Sequence, residues 1–268
     1  MKTDTFGVSV LFPTTRNGRE WYSQFHVGPS RTIIFGPSGV YDPELIFRGH
    51  GVYTINNGIL TVCGPCPRIY VRASTLNHVD VPKTTPTWKN VEVTFYSNTI
   101  DPGRNPVPYA GVEAVVRTDH YPDTDLCNTR GIGGKWNFDG RCQFEKETVH
   151  LNDSSGNKQV NTVYPFMNNG PMPLNTWIGY KYIVRSLNND TECCAEMYMD
   201  TTNGENGGSW IKVNEFIDYN GWSSDVPSCC EIHRGRVLDA NYTVYLRTDG
   251  VIKQLYKWFS IREIDPLN

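Results

Sequence analysis

The stretch that decides the fold is Asn175-Thr-Trp-Ile-Gly-Tyr-Lys-Tyr-Ile-Val-Arg-Ser186, which is followed closely by Cys193-Cys-Ala-Glu-Met-Tyr-Met-Asp-Thr-Thr-Asn-Gly204. Trp177 begins a run rich in Tyr, Ile and Val, which are residues that favour β-strands. The run Leu187-Asn-Asn-Asp190 between the two halves is typical of a turn. The stretch therefore predicts a β-hairpin whose second strand ends at Asp200.

Alternation with a period of two extends over most of the chain on both sides of this hairpin. The clearest predicted strands are 90–96, 109–117, 141–150, 177–185, 194–200, 242–247 and 254–264. No stretch keeps the apolar spacing of a helix for three turns, so helix is expected to be minor. About a dozen antiparallel strands predict an all-β fold, a two-sheet jelly-roll sandwich, with residues 1–268 forming a single domain.

The hairpin resembles the central hairpin of concanavalin A-like lectin/glucanase domains, where a Trp-initiated strand precedes one that ends in a bulky residue, any residue and Asp. The closing stretches 245–250 (YLRTDG) and 256–264 (YKWFSIREI) resemble the last two strands of that superfamily. The stretches 12–22, 67–71 and 88–96 are similar to archaeal and bacterial extracellular proteins with such a domain. The resemblance implies a concanavalin A-like jelly roll with a ligand groove on its concave sheet, and it leaves the activity open.

Charge and hydropathy exclude two classes of function. The formal net charge is −3 with no basic stripe, whereas a nucleic-acid groove needs clustered positive charge. No apolar run approaches the roughly 18 residues of a transmembrane span, so an integral membrane protein is not expected. Residues 1–7 lack the apolar stretch of a signal peptide, so an exported chain is expected to have lost its signal before this numbering begins.

Eight cysteines, an even number, indicate an oxidising compartment and hence an extracellular or cell-surface location. A Cys127–Cys142 disulfide is predicted, together with a link between the adjacent pairs 193/194 and 229/230, for example Cys193 to Cys229. Adjacent cysteines cannot easily form an unstrained bridge with each other. A cytosolic protein with reduced thiols is the alternative.

Cys63-Gly-Pro-Cys66 matches the active-site tetrapeptide of thioredoxins. In those proteins a helix follows the motif, and its N-terminus lowers the pKa of the first thiol. Here the strand-like runs 58–62 and 69–71 flank the motif, so the sequence predicts a strand, a tight Gly-Pro turn and a strand, which is a hairpin tip. Thiol–disulfide exchange is therefore not expected.

Two strands carry the candidate site. In 109–117, Tyr109, Glu113 and Arg117 share one face, opposite a core set of Ala and Val. In 141–150, the face of Gln143 includes Glu145 and Glu147. We expect these faces to line one open groove on the concave sheet, where polar and aromatic side chains contact a sugar.

Three chemistries fit these residues. Glu145 and Glu147 resemble the carboxylate pair of glycosidases in this superfamily, and same-strand neighbours ~6.6–6.8 Å apart can reach the ~5–5.5 Å of a retaining pair. A polysaccharide lyase instead needs a cation or amide for the uronate carboxylate and a base for its proton. The residues of those types are Arg117, Gln143, His150, Tyr180 and Lys181. A solvated ladder of charges explains Glu145-Lys146-Glu147 equally well.

Other residues complete the predicted site. Trp210 and Trp222 lie in loops rich in Gly, Ser and Asn, and they are candidate platforms for sugar stacking. Asp119, Asp123 and Asp125 could hold a structural calcium ion through oxygen, although the spacing is not that of an EF-hand. No other cofactor is required.

These patterns predict an extracellular protein that binds a polysaccharide and that either cleaves it, as a hydrolase or a lyase, or does not. The predicted catalytic residues are Glu113, Arg117, Glu145, Glu147 and His150, and the predicted substrate-binding residues are Tyr109, Gln143, Tyr180, Lys181, Trp210 and Trp222. The alternative function is a structural or adhesive surface module with no catalysis.

Overall fold

A computed structural model of the chain describes residues 2–72, 88–104, 107–118, 131–147, 157–219 and 243–266. Within these ranges all named strand pairs are antiparallel, and the helical structure consists of two short 3-10 turns, Met167–Asn169 and Glu205–Gly207. The strands are β1 Glu20–Tyr22, β2 Arg31–Ile33, β3 Gly36–Pro37, β4 Leu45–Asn56, β5 Ile59–Arg72, β6 Val91–Asp101, β7 Gly111–Thr118, β8 Gly131–Asn137, β9 Cys142–Glu147, β10 Asn157–Val163, β11 Ile178–Leu187, β12 Glu192–Asp200, β13 Ile211–Asp218, β14 Thr243–Asp249 and β15 Val251–Glu263.

The strands form one continuous ladder in the order β10-β9-β8-β7-β14-β5-β15-β6-β11-β12-β13, with β4 also on β5, β2 and β3 on β4, and β1 on β15. The ladder folds back on itself. Trp136 of β8 lies 4.7 Å from Tyr180 of β11 between ring centroids, and Phe144 of β9 lies 6.1 Å from Phe216 of β13. We call strands β10, β9, β8, β7, β14, β5 and β4 the front layer. We call strands β15, β6, β11, β12 and β13 the back layer. The predicted all-β two-sheet sandwich is confirmed.

The predicted hairpin is β11 and β12, which pair from Gly179 with Asp200 to Leu187 with Glu192. Alternation places Tyr180, Tyr182 and Val184 in the core between the layers, where they are fully buried. Asp200 ends β12 and accepts hydrogen bonds from the backbone N–H groups of Thr202, Gly204 and Ser209. The acidic residue at the strand end therefore organises the turn that follows it.

Strand β5 joins the two layers. Its first half pairs with β15, for example Leu60 with Tyr256, and its second half pairs with β14, for example Tyr70 with Tyr245. The change of partner falls at the Cys63-Gly-Pro-Cys66 motif, where Gly64 has φ 139° and a Cβ would lie 2.3 Å from the carbonyl oxygen of His50. The tetrapeptide thus marks the corner at which a strand passes between layers.

The prediction of a hairpin tip at Gly64-Pro65 was therefore wrong. The tip between β4 and β5 lies at Asn57 and Gly58, both with positive φ, as a tight hairpin turn requires. The Gly-Pro pair produces a bulge instead of a reversal, because β4 stays paired with β5 on both sides of it.

The outer face of the back layer is crossed by residues 2–19. Glu92 of β6 accepts hydrogen bonds from the backbone N–H groups of Leu11 and Phe12, and its carboxylate pairs with Lys181 at 2.6 Å and with Arg262 at 2.7 Å. We call Glu92, Lys181 and Arg262 the back charge cluster. All three are at most 2 % exposed, so this cluster fixes the N-terminal segment to the sheet from a buried position.

Candidate functional site

The structure places the predicted acidic residues on one face of the front layer. On β7, Val112, Ala114 and Val116 belong to the core, so Glu113 projects from the opposite, outer face. On β9, Phe144 belongs to the core, and Glu145 therefore also projects outward. Strand β8 lies between them, with Lys135 opposite Glu113 and Gly133 opposite Glu145.

Two rows of side chains cross the outer face at right angles to the strands. The first, which we call the charged row, consists of Gln143, Lys135, Glu113, Arg247 and Arg68. The second, which we call the aromatic row, consists of Glu145, Gly133, Val115, Tyr245 and Tyr70. The Tyr70 and Tyr245 rings lie 4.8 Å apart between centroids and are both buried, so a buried aromatic pair lies directly beside the line of charges.

Lys135 is shared by three carboxylates. Its Nζ lies 3.8 Å from Glu113 Oε2, 3.6 Å from Glu145 Oε2 and 3.9 Å from Asp249 Oδ2. Arg247 adds a second cation, whose Nε lies 2.6 Å from Asp249 Oδ2 and 3.7 Å from Glu113 Oε2. We call these five residues the front charge cluster. Most of its separations exceed the ~2.7–2.9 Å of a direct charge-assisted hydrogen bond.

Glu113 is the unusual carboxyl of this cluster. Burial, reinforced by the nearby charge of Glu145, raises its pKa to about 7, although Lys135 and Arg247 act in the opposite direction. Its Oε2 atom is buried and has no hydrogen-bond partner. A buried acid with a raised pKa beside a second carboxylate is typical of a proton donor in catalysis.

Asp249 behaves in the opposite way although it is a neighbour. Burial alone would raise its pKa, but Arg68, Arg247 and Lys135 together lower it. Arg68 Nη1 and Arg247 Nε both donate short hydrogen bonds to it, at 3.0 and 2.6 Å. The cluster therefore holds one carboxylate that stays ionised and one carboxyl that can carry a proton near neutral pH.

Gly133 leaves the space that Glu113 occupies. A Cβ at Gly133 would lie 2.1 Å from Glu113 Oε1, so a side chain there would displace the carboxyl. The next residue, Gly134, faces the core, where a Cβ would lie 2.6 Å from the Tyr182 ring. The Gly-Gly pair in β8 therefore admits a carboxylate on one face and an aromatic ring on the other.

The prediction of an open, exposed groove at these residues was wrong. Glu113, Lys135, Glu145 and Glu147 are each at most 3 % exposed. The opposed charges of the cluster lower the cost of burying each carboxylate.

Arg117 does not share the face of Glu113, contrary to expectation. It has φ 51° where the register of β7 against β14 shifts, and its side chain donates hydrogen bonds to the Lys89 carbonyl, Asn90 Oδ1 and Ser186 Oγ. The bulge turns Arg117 out of the alternation and makes it a link to residues of the back layer.

The other predicted binding residues are dispersed. Tyr180 lies in the core, stacked on Phe95 at 5.3 Å, and Lys181 belongs to the back charge cluster, so neither lies near Glu113. Tyr109 is 54 % exposed in the turn before β7. Only Gln143 lies in the charged row, where its Oε1 accepts a hydrogen bond from Thr162.

Trp210 is half-buried on the back layer, with its ring 4.6 Å from Lys181 Nζ. The remaining predicted residues lie outside the described ranges: Asp119, Asp123, Asp125, Cys127, His150, Trp222 and Cys229. Among the described residues, no three His, Cys, Asp or Glu side chains form a group that could hold a metal ion. In the same ranges, no helix is long and apolar enough to cross a membrane.

The predicted disulfides through Cys142 and Cys193 were wrong, since both residues are free thiols. Each faces the core, where Cys142 Sγ lies 3.5 Å from Met197 Sδ. Burial raises the pKa of the Cys142 thiol. These cysteines therefore pack as small apolar residues.

Sequence reasoning missed Lys135, Arg247 and Asp249, although a signal for two of them is present. Tyr245, Arg247 and Asp249 alternate along β14 with Val244 and Leu246, which places the charges on the face away from the core. The alternation shows the face but not the neighbouring strands, and β14 lies beside β7 only through a non-sequential pairing.

Comparisons with known proteins bear on the fold. No family model and no curated protein matches the sequence. A protein of unknown function with a galectin-like fold from Bacillus subtilis is similar in structure, with a TM-score of 0.50 and 11 % identity over 91 % of this chain and 98 % of that one. The exoplasmic/lumenal domain of VIP36 in its Ca²⁺-bound form has a TM-score of 0.49 and 8 % identity over 91 % of this chain and 92 % of that one. Lectin II from Ulex europaeus has a TM-score of 0.43 and 10 % identity over 87 % of this chain and 97 % of that one. The likeness to the Bacillus subtilis structure shows the fold alone, a galectin-like jelly roll, which agrees with the fold that the sequence predicts.

Proposed function

We propose that this protein binds an extended polysaccharide outside the cell through the outer face of its front layer, and that Glu113 and Glu145 are the groups able to cleave it. The observation that carries the proposal is the front charge cluster, in which a carboxyl with a pKa of about 7 lies beside a second carboxylate and an aromatic row. Sugar recognition commonly combines aromatic faces with a few convergent polar groups.

The arrangement supports hydrolysis better than elimination. Lys135 Nζ lies 3.8 Å from Glu113 Oε2 and 3.6 Å from Glu145 Oε2, so these two oxygens are at most about 7.4 Å apart. That bound admits the ~5–5.5 Å separation of a retaining carboxyl pair and only the lower part of the ~6.5–9.5 Å range of inverting pairs. In this scheme Glu113 donates a proton to the glycosidic oxygen, and Glu145 acts as nucleophile or base.

A lyase is less well supported, because its predicted residues do not converge. Arg117 is turned toward Ser186, Tyr180 is in the core, and Lys181 is paired with Glu92. Gln143 and Lys135 could still neutralise a uronate carboxylate from the charged row. No described base among the predicted set lies beside them.

The burial of the cluster favours the second candidate function, a module without catalysis. Cations and carboxylates that neutralise each other can serve only to hold a sheet together. Hydrolysis at Glu113 requires that this face becomes accessible when a glycan binds. The two functions therefore differ in whether the cluster contacts the ligand.

The test is incubation with a panel of neutral and uronic polysaccharides, in which reducing ends and the absorbance of unsaturated uronates are measured together. Reducing ends alone indicate hydrolysis, and both readouts together indicate elimination. The decisive variants are Glu113→Gln and Glu145→Gln, with His50→Ala, an exposed residue of β4, as the control. We expect each Gln variant to lose cleavage by at least a hundredfold while His50→Ala keeps it.

Two other outcomes are informative. Glycan binding without cleavage, unaffected by either Gln variant, would support a lectin-like module whose ligand contacts another surface. Absence of binding to every polysaccharide of the panel would overturn the proposed function.

A further inference from the structure

A second candidate site lies on the other side of the molecule, at the end of the back layer. A cleft of about 300 Å³ is lined by Thr5, Phe6, Ser23, Phe25, His26, Gly58 and Trp258. Phe25 is buried, Phe6 and Trp258 are half-buried, and Thr5 and His26 are exposed, so the cleft opens to solvent. Its volume is at the lower end of the range for small-molecule sites, which suits one ring and excludes a folded segment.

Trp258 reaches this cleft because the backbone departs from regular strand geometry. It has φ 53°, which for a bulky residue is an outlier, at a position where the pairing of β15 with β6 shifts between Lys257 and Ser260. Tyr256 and Phe259, on either side, belong to the core. The bulge therefore turns outward an indole that simple alternation would have buried.

Neighbouring residues pack closely around the Trp258 indole. The Tyr96 ring meets it edge to face, with centroids 5.1 Å apart, and the Lys257 ammonium lies 3.8 Å from its centroid. Gly204 has φ 81°, and a Cβ there would lie 2.7 Å from the indole. Asp200 holds this part of the loop by accepting hydrogen bonds from Tyr96 Oη and from the Gly204 N–H. Strained residues held by their surroundings are concentrated at ligand sites.

The chemistry of the lining selects the ligand. Three aromatic rings offer flat apolar faces, and two hydroxyls and one imidazole offer hydrogen bonds. Among the described residues of the lining there is no carboxylate, lysine or arginine. The Lys257 ammonium lies outside the lining, against the Trp258 ring, so the lining itself offers a charged sugar no ion-pair partner. A neutral sugar has both the apolar C–H face and the hydroxyls that this lining can satisfy.

We propose that this cleft binds one neutral hexose unit, with Trp258 and Phe6 against the face of the ring and His26 and Thr5 bonded to its hydroxyls. The choice of a sugar over other neutral ligands rests on the proposed function, whereas the cleft and its strained tryptophan do not. The site is separate from the front charge cluster, so the protein has two independent contacts for one glycan chain or for two.

The test is isothermal titration of the full chain with methyl glycosides of glucose, galactose and mannose, with methyl glucuronide as the charged comparison. We expect at least one neutral glycoside to bind and the glucuronide to bind at least tenfold more weakly. Phe6→Ala and His26→Ala should each weaken the neutral glycoside at least tenfold. Since His26 is exposed and Phe6 is only half-buried, both variants are expected to fold, whereas a Trp258→Leu variant would test folding as well as binding.

One control variant and one separate readout distinguish this inference from the proposed function. His50→Ala is matched to His26→Ala as another exposed histidine and should leave monosaccharide affinity unchanged, whereas Glu113→Gln is assayed only for polysaccharide cleavage. Affinity that is unchanged in Phe6→Ala and His26→Ala, preference for the glucuronide, or no binding of any neutral glycoside would overturn the inference. Polysaccharide cleavage that is lost only in Glu113→Gln would then still uphold the proposed function.

Discussion

Both layers bury an ion cluster on the face away from the core, and the two clusters differ in how well they are satisfied. In the back charge cluster, Glu92 lies 2.6 Å from Lys181 and 2.7 Å from Arg262, and two backbone N–H groups also donate to it. In the front charge cluster, Lys135 lies 3.6–3.9 Å from three carboxylates. The back cluster is closed in the sense that both oxygens of Glu92 are directly bonded. In the front cluster Asp249 and Glu145 also accept direct hydrogen bonds, but Glu113 Oε2 has no hydrogen-bond partner.

The pKa of each glutamate follows from this difference. Burial alone would raise the pKa of Glu92, but Lys181, Arg262 and the hydrogen bonds lower it. Burial raises the pKa of Glu113 to about 7, and its two cations do not compensate. Although the two glutamates are similarly buried, Glu92 is a structural anion in the back layer, whereas Glu113 in the front layer can gain or lose a proton near neutral pH. Whether a buried charge has hydrogen-bond partners, more than how deeply it is buried, distinguishes a structural cluster from a candidate site.

The largest effect is expected from neutralising the closed cluster. Glu92→Gln leaves Lys181 and Arg262 buried without the carboxylate that bonds directly to both, which should lower the free energy of unfolding by about 3–5 kcal/mol. The measurement is urea unfolding at pH 7. The matched variant Glu113→Gln should cost under ~1 kcal/mol there, because a carboxyl with a pKa near 7 is as easily neutral as charged. Equal losses in the two variants would contradict the distinction between the clusters.

The second effect is a dependence of stability on pH. Because the pKa of Glu113 is about 7 in the folded chain and 4.5 ordinarily, the folded state binds the proton more tightly. Stability from this group is therefore greatest below about pH 4.5 and falls as the pH rises toward 7, by roughly 3 kcal/mol. Urea unfolding from pH 5 to 8 should show this fall, and Glu113→Gln should flatten it.

Asp42 must be considered in that experiment. Burial raises its pKa to about 6, so it contributes in the same direction in both proteins. The difference between the wild type and Glu113→Gln cancels this contribution. A pH profile that is identical in the two proteins would show that Glu113 is ionised throughout.

A smaller effect is expected at the glycine beside Glu113. Gly133→Ala places a Cβ 2.1 Å from Glu113 Oε1, and the overpacking should cost about 1–3 kcal/mol. Since the clash is with one flexible carboxyl, adding Glu113→Ala should recover part of the loss. Gly134→Ala is the matched control, because its Cβ meets the Tyr182 ring instead. Recovery in the Gly134→Ala background as well would argue against a specific contact.

The smallest effect is expected at the corner where β5 passes between the layers. Cys63 and Cys66 are half-buried free thiols with no helix after them, so replacing both by Ser should change stability by about 0.5 kcal/mol or less per site. Glycan binding and both charge clusters should be unaffected. An insulin-reduction assay should show no turnover, and turnover that disappears in the double variant would establish the redox role that the strand context argues against.

The fold could be predicted because alternation is a local property. The hairpin of β11 and β12 was predicted from Trp177 to Asp200, and the structure places its strands at Ile178–Leu187 and Glu192–Asp200. Each of these strands has one face in the core, and the apolar residues of that face alternate along the strand's own sequence. The same rule correctly assigns Glu113 and Glu145 to faces opposite the core.

The site could be predicted only in part, because it depends on which strands are neighbours. Lys135 and Arg247 flank Glu113 through pairings that no local pattern reveals. Lys181 belongs to the other layer, although its residue type suited the predicted site. Arg117 was misplaced by a bulge, since one shifted residue reverses the face of its side chain. Gly64-Pro65 is typical of a turn, but in the structure Gly64 lies at the bulge where β5 passes from one layer to the other.

The pairing of β1 with β15 has a consequence for how the protein is made. Glu20 pairs with Arg262 and Tyr22 with Ser260, while Arg19 forms an ion pair with Glu263 at 2.7 Å. Strand β1 therefore leaves the ribosome long before β15, its partner on the sheet. Closing so long a loop is slow. Strand β1 must stay without this partner, and protected from other chains, until residues 260–262 have emerged.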